Sequence, residues 1–140
     1  MTTQQEIIEI MHATPATGFV AKRFFHVIAE RHVENILERL DQSEKFYCFV
    51  LLPNSKKQHS EALICTDSRI MIWNNEFADD TEIRLDQIES TRLERGWWSS
   101  TLYLYQVGSH QTVSWKFRCE TEVIAAFEHA VLQAKADSSS

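Results

Sequence analysis

Three cysteines, six histidines and two knots of carboxylates are the residues through which this chain could do chemistry. The histidines stand at positions 12, 26, 32, 59, 110 and 129. His26 and His32 are six apart, off a common helix face, and neither H-x-x-x-H nor H-E-x-x-H occurs. A zinc site would have to gather ligands from distant elements, so no metal is expected. Cys48 and Cys65 lie among Phe, Val, Leu and Ile, where a thiol behaves as a small hydrophobe. Cys119 follows Arg118 near the expected start of the last helix, a setting that lowers a thiol pKa. A structural thiol is still the better reading, because no base and orienting group accompany it. The acidic run NNEFADDTE at 74–82 holds four carboxylates but lacks the spacing of a calcium loop. It reads as a solvated turn. Glu120 and Glu122 fit a helix N-terminus. Glycines stand only at 18, 96 and 108, so no phosphate-cradling loop forms. No catalytic residue and no cofactor are expected.

Two other groups suit binding. RGWWSS at 95–100 places Trp97 and Trp98 where two strands turn. The rings either fold back on the core or stand out as an anchor, since Trp and Arg dominate interface hot spots. Trp97, Trp98 and Arg95, with Phe77 in the acidic turn, form the candidate partner-binding set. Lys56, Lys57, His59 and Arg69 form an alternative set for a small ligand or an anionic lipid head. The tryptophans could also stack single-stranded nucleic acid, but the charge balance argues against it.

That balance is 14 basic against 20 acidic residues, a net charge of −6. Phosphate backbones and anionic membranes would repel such a chain unless it carried a basic patch. Lys22-Arg23 and Lys56-Lys57 are the densest candidates. No nucleic-acid ligand is expected, and a membrane is disfavoured. No apolar run reaches the length of a membrane helix. The first residues, MTTQQEIIEIMHA, are polar and helical rather than signal-like, and the cysteines form no CxxC. Both features predict a cytoplasmic protein with reduced thiols.

At 140 residues the chain fits one domain with a real core. The apolar periodicity predicts a short helix over 3–12, an interruption at ATPATG (13–18), and an amphipathic helix from about 19 to 40. From residue 45 the texture becomes that of strands: KFYCFVLL, EALICT, RIMIWNN, TEIRL, IESTRLER, STLYLYQV and TVSWKF. ETEVIAAFEHAVLQAKA then returns to helical spacing, with Thr121 as its cap. The division is 1–43 helical, 44–136 the main domain, and 137–140 a disordered tail. In KFYCFVLL, Phe46, Cys48, Val50 and Leu52 share one face while Tyr47, Phe49 and Leu51 share the other. Both faces need cover, which a sheet with one wet side does not ask for. TLYLYQV shows the same in weaker form. The N-terminal helices are the nearest cover, and a second subunit is the next.

Seven strands closed by one amphipathic helix resemble the pleckstrin-homology-like domains of bacteria, in particular the YokE-like type. ALICTDSRIMIW, IRLDQIESTRLERG and EVIAAFEHAVLQA carry the resemblance, over residues of about 45–136. It implies an α+β fold: a seven-stranded antiparallel barrel or sandwich with a C-terminal capping helix and N-terminal accessory helices. It also implies a cytoplasmic, mostly non-catalytic and often self-associating module of a bacterium or bacterial virus. The expected partner is a protein: a second copy, or a target that the module restrains.

Overall fold

A computed structural model describes residues 2–13, 33–34, 36–52, 61–74, 81–108 and 112–138. Helix α1 (Gln4–Ala13) opens the chain. The Thr3 hydroxyl accepts the Glu6 backbone N–H at 3.2 Å, so Thr3 caps a turn whose third residue is acidic. Residues 33–34 and 36–39 are also helical. The rest of the helix expected over 19–40 lies outside the described residues. Among the described residues seven strands follow: β1 (Phe46–Leu52), β2 (Glu61–Thr66), β3 (Arg69–Asn74), β4 (Thr81–Arg84), β5 (Ile88–Glu94), β6 (Ser99–Val107) and β7 (Thr112–Glu120). Helix α2 (Thr121–Ser138) closes the chain.

The strands form two antiparallel sheets, one ordered β1-β2-β3-β4 and one ordered β5-β6-β7. A 3-10 turn, Leu85–Gln87, carries the chain from the first sheet to the second. Between the sheets lies the main core. Cys48, Cys65, Ile70 and Ile83 form one rung of inward side chains across all four strands of the first sheet. Leu102, Leu104, Phe117 and Cys119 answer from the second sheet. The buried side chains Val123, Ile124, Phe127, Val131 and Ala134 of α2 fill the space between.

A second apolar cluster sits on the other side of the first sheet. Phe46, Phe49, Ala62, Ile64 and Met71 point outward and are covered by Ile7, Val33 and Ile36, with Ile8, Ile10, Leu37 and Leu40 at the margin. Each large side chain so covered gains roughly 1.5–3 kcal/mol relative to exposure. The expectation that β1 is clad on both sides therefore holds, and the N-terminal segment of the same chain does the cladding. Leu51 is a side chain outside the described set.

Four details differ from the sequence reading. A β-bulge between Phe46 and Cys48 breaks the alternation in β1. It sends Phe46 to the outer cluster and turns Tyr47 toward the inner one, the reverse of their expected sides. The outer face of β6, expected to want weak cover, carries Tyr103 and Tyr105, which belong to neither apolar cluster. Strand β7 runs to Glu120, so Cys119 is a strand residue. Finally, α2 runs to Ser138 rather than fraying at 137. Asp137 there accepts a hydrogen bond from the Tyr47 hydroxyl and one from the Gln133 amide, which fastens the last turn to β1.

Truncation of the outer cluster tests the two-sided sheet. Phe49→Ala should cost about 3–5 kcal/mol in denaturant unfolding, as large as a main-core truncation. A cost below about 1 kcal/mol would mean that the N-terminal cover adds nothing.

Candidate interaction site

The turn between β5 and β6 presents Trp97 and Trp98, 88% and 76% exposed. Their rings meet edge to face, with centroids 5.0 Å apart and planes at 74°. Of the two alternatives for this pair, the structure takes the exposed one. The turn beneath it is tightly held. The Gly96 N–H donates to the Ser100 hydroxyl at 3.2 Å, and that hydroxyl lies 2.8 Å from the Thr121 hydroxyl. The Thr121 N–H donates to the Trp98 carbonyl at 3.3 Å, and the Thr121 hydroxyl reaches the Gly96 carbonyl at 3.4 Å. Thr121, read as a helix cap, uses its hydroxyl on this turn instead. Arg118 Nε donates to the Ser99 hydroxyl at 2.9 Å. A Cβ on residue 96 would meet the Ser99 carbonyl oxygen at 2.2 Å, so only glycine fits. Arg95 is exposed beside the pair. Phe77, the fourth member of the set, lies outside the described residues.

Of the anion-binding set, Lys56, Lys57 and His59 also lie outside the described residues. Arg69 is described, and its guanidinium is committed inside the protein. Nε and Nη2 grip the Glu44 carboxylate at 2.9 and 3.0 Å, a bidentate pair. Nη2 also donates to the Arg39 carbonyl at 2.8 Å, and Nη1 to Glu82 at 2.7 Å. It is a clamp between the N-terminal segment and the first sheet. Glu44, with its side chain 3% exposed, also accepts hydrogen bonds from the hydroxyls of Thr66 at 2.6 Å and Ser68 at 2.9 Å and from the Asp41 N–H at 3.0 Å. Burial alone would raise its pKa. The hydrogen bonds from Arg69, Thr66, Asp41 and Ser68 outweigh burial and hold it at about 2. The corner Asp67-Ser68 joins the clamp through the Ser68 hydroxyl. Its backbone also binds Lys45 at 2.9 Å and the Leu85 N–H at 3.0 Å. Sequence reasoning missed Glu44 because its partner lies 25 residues away; the one cue was a lone acid just before a strand.

The candidate nucleophiles are equally committed. Burial pushes the Cys48 thiol up to about 12, Cys65 well above the ordinary value and Cys119 to about 11. The lowered pKa considered for Cys119 is not found, because burial outweighs any help from the chain around it. Among the described residues, no three His, Cys, Asp or Glu side chains gather at metal-binding distance. A cleft of about 360 Å³ lies between Asp67, Ser68, Arg84, Asp86 and the end of α2. Its cations are occupied, Arg84 by Asp86 at 3.0 Å and Lys135 by the Ile88 carbonyl. No described helix is long and apolar enough to cross a membrane.

The two-sheet arrangement with its closing helix defines a pleckstrin-homology-like fold. A DUF1696-family protein with a pleckstrin-homology domain from Shewanella loihica superposes with a TM-score of 0.55, at 7% identity, over 76% of this chain and 95% of that one. The hSac2 domain from human phosphoinositide phosphatase Sac2 superposes with a TM-score of 0.54, at 12% identity, over 81% and 83%. No protein-family model and no curated protein matches the sequence.

Two substitutions probe these features. Glu44 has a depressed folded-state pKa, so its stabilisation is complete above about pH 4.5 and is lost as pH falls towards 2. Wild-type stability should fall by roughly 3 kcal/mol across that window from this group alone. Glu44→Gln should lose a similar amount at pH 7 and flatten the acid limb in a urea titration repeated at each pH. Gly96→Ala should cost roughly 1–3 kcal/mol by overpacking and raise the quenching of Trp fluorescence by acrylamide, as the turn loosens.

Proposed function

We propose that the chain is a non-enzymatic protein-interaction module, self-associating or docking on a target protein, with Trp97, Trp98 and Arg95 as its anchor. One observation carries the reading: two tryptophans stand almost bare on a turn that hydrogen bonds and a required glycine hold rigid. A soluble surface rarely spends its largest apolar side chains this way without a partner. Rigidity matters because an anchor already in its bound shape loses little entropy on docking.

The magnitudes describe the partner. Two indoles offer of order 300–500 Å² of area, or roughly 8–12 kcal/mol at about 25 cal/mol per Å². Association costs about 4–15 kcal/mol. The tip alone is marginal, so the partner must enclose both rings in a pocket and engage polar groups around it. The fold also fits the finer resemblance to bacterial YokE-like modules, which are often self-associating, and a bacterial or phage origin with cytoplasmic residence goes with that reading. The lipid-binding alternative is weaker, since Arg69 is held by Glu44 and only Lys56, Lys57 and His59 remain to it.

Light scattering after size exclusion, at several concentrations, should show self-association. Trp97→Ala/Trp98→Ala should weaken it, or the capture of a host protein, by about 30-fold or more. A strict monomer whose double variant keeps every captured partner would remove the proposal.

A further inference from the structure

A second surface, separate from the tryptophan tip, lies on the outward side of the β5-β6-β7 sheet. Cross-strand pairing arranges it in rungs. Glu94, Thr101 and Arg118 form one rung, Arg92, Tyr103 and Lys116 the next, and Ser90, Tyr105 and Ser114 the third. The middle rung is a ring between two cations. Arg92 lies over the Tyr103 ring at 4.5 Å and Lys116 at 6.0 Å. Tyr103 and Tyr105 hold their rings within 12° of parallel, with centroids 6.5 Å apart.

The local charge departs from that of the whole molecule. Arg92, Lys116 and Arg118 share this surface with Glu94, Glu120 and Glu89, the last exposed at the β5 bulge beside Ser90, so three cations meet three carboxylates, whereas the rest of the chain has 11 basic and 17 acidic residues. Glu94 and Glu120 sit toward the tryptophan end. Glu94 accepts the Tyr103 hydroxyl at 3.3 Å and lies 3.8 Å from Arg92. The two rungs that carry the tyrosines contain two cations and no carboxylate.

We infer that this face binds single-stranded nucleic acid. Antiparallel sheets with aromatic side chains on a central strand accept unstacked bases, and an arginine plane serves as a further stacking surface, here the Arg92 guanidinium that lies over Tyr103. Cations on the flanking strands are placed to meet the phosphates on either side of a strand running along β6. Duplexes are excluded from the stacking component because their bases are already stacked. The net negative charge of the molecule keeps the affinity modest and confines contact to this face. The bulk charge, which argued against nucleic acid, does not describe this face, where cations and carboxylates are balanced and the carboxylates flank the tyrosine rungs.

The test is fluorescence anisotropy of a fluorescein-labelled 20-mer of thymidylate with the full chain in 50 mM salt. Saturable binding is expected, weakening about fourfold for each doubling of salt, as three neutralised phosphates dictate. Tyr103→Ala/Tyr105→Ala should bind at least tenfold more weakly, while Tyr103→Phe/Tyr105→Phe retains binding and shows that the sheet is intact. Lys116→Glu/Arg118→Glu should abolish it. Trp97→Ala/Trp98→Ala should leave it within about twofold, which keeps this inference separable from the tip's role. Absence of saturable binding would overturn the inference, as would binding indifferent to the tyrosine truncations. Co-sedimentation with phosphatidylcholine vesicles containing one-fifth phosphatidylserine, dependent on Lys116 and Arg118 while the oligonucleotide fails to bind, would overturn it in favour of a lipid surface.

Discussion

A sheet in water can leave one face wet, but β1, β2 and β3 carry apolar side chains on both. Most of the architecture follows from that constraint. The inner face demands the second sheet and α2. The outer face demands a lid, and α1 with the helical residues before Asp41 supplies it. A lid brought from the chain's own N-terminal side must then be joined to the strand it covers, and the join falls at Glu44. There a carboxylate enters the protein and is fully partnered by Arg69, Thr66 and Ser68. Removing a single partner would leave a buried charge uncompensated, so the clamp stands or falls as a unit.

The strands were legible because each is short, β-branched or aromatic, and bounded by polar turns. All seven appear where the pattern placed them, and the closing helix follows from the spacing of Val123, Phe127, Val131 and Ala134. What escaped depends on single residues added to a pattern, or on distance. The bulge at β1 adds one residue, and an added residue reverses side-chain parity without changing composition. Hence Phe46 and Tyr47 were assigned to the wrong sides. The clamp escaped because an acid and a base 25 residues apart carry no local signature. For the same reason Arg69 looked available to a ligand. Trp97 and Trp98 drew notice from composition alone, but whether such rings turn inward depends on the backbone path after Gly96, which a sequence pattern does not specify.

The similarity to solved structures at 7% and 12% identity shows how loosely this fold constrains its side chains. Alternation, turn positions and one amphipathic helix suffice, and the surface is left free to vary. Function therefore has to be read from what this surface presents and not from the fold it shares. Here the buried cysteines, the clamp and the paired cations of the cleft are all spent on structure. Among the described residues, the tryptophan tip and the tyrosine-bearing sheet face are left on the surface.

The hydrogen bonds from Thr121 to the tip have a mechanical meaning. Thr121 opens the closing helix, and the far end of that helix is tethered to β1 through Tyr47 and to β5 through Lys135. The turn that carries the indoles and both sheets are thus joined through one helix. Displacing the tip would mean breaking the bonds that tie it to the first residue of that helix.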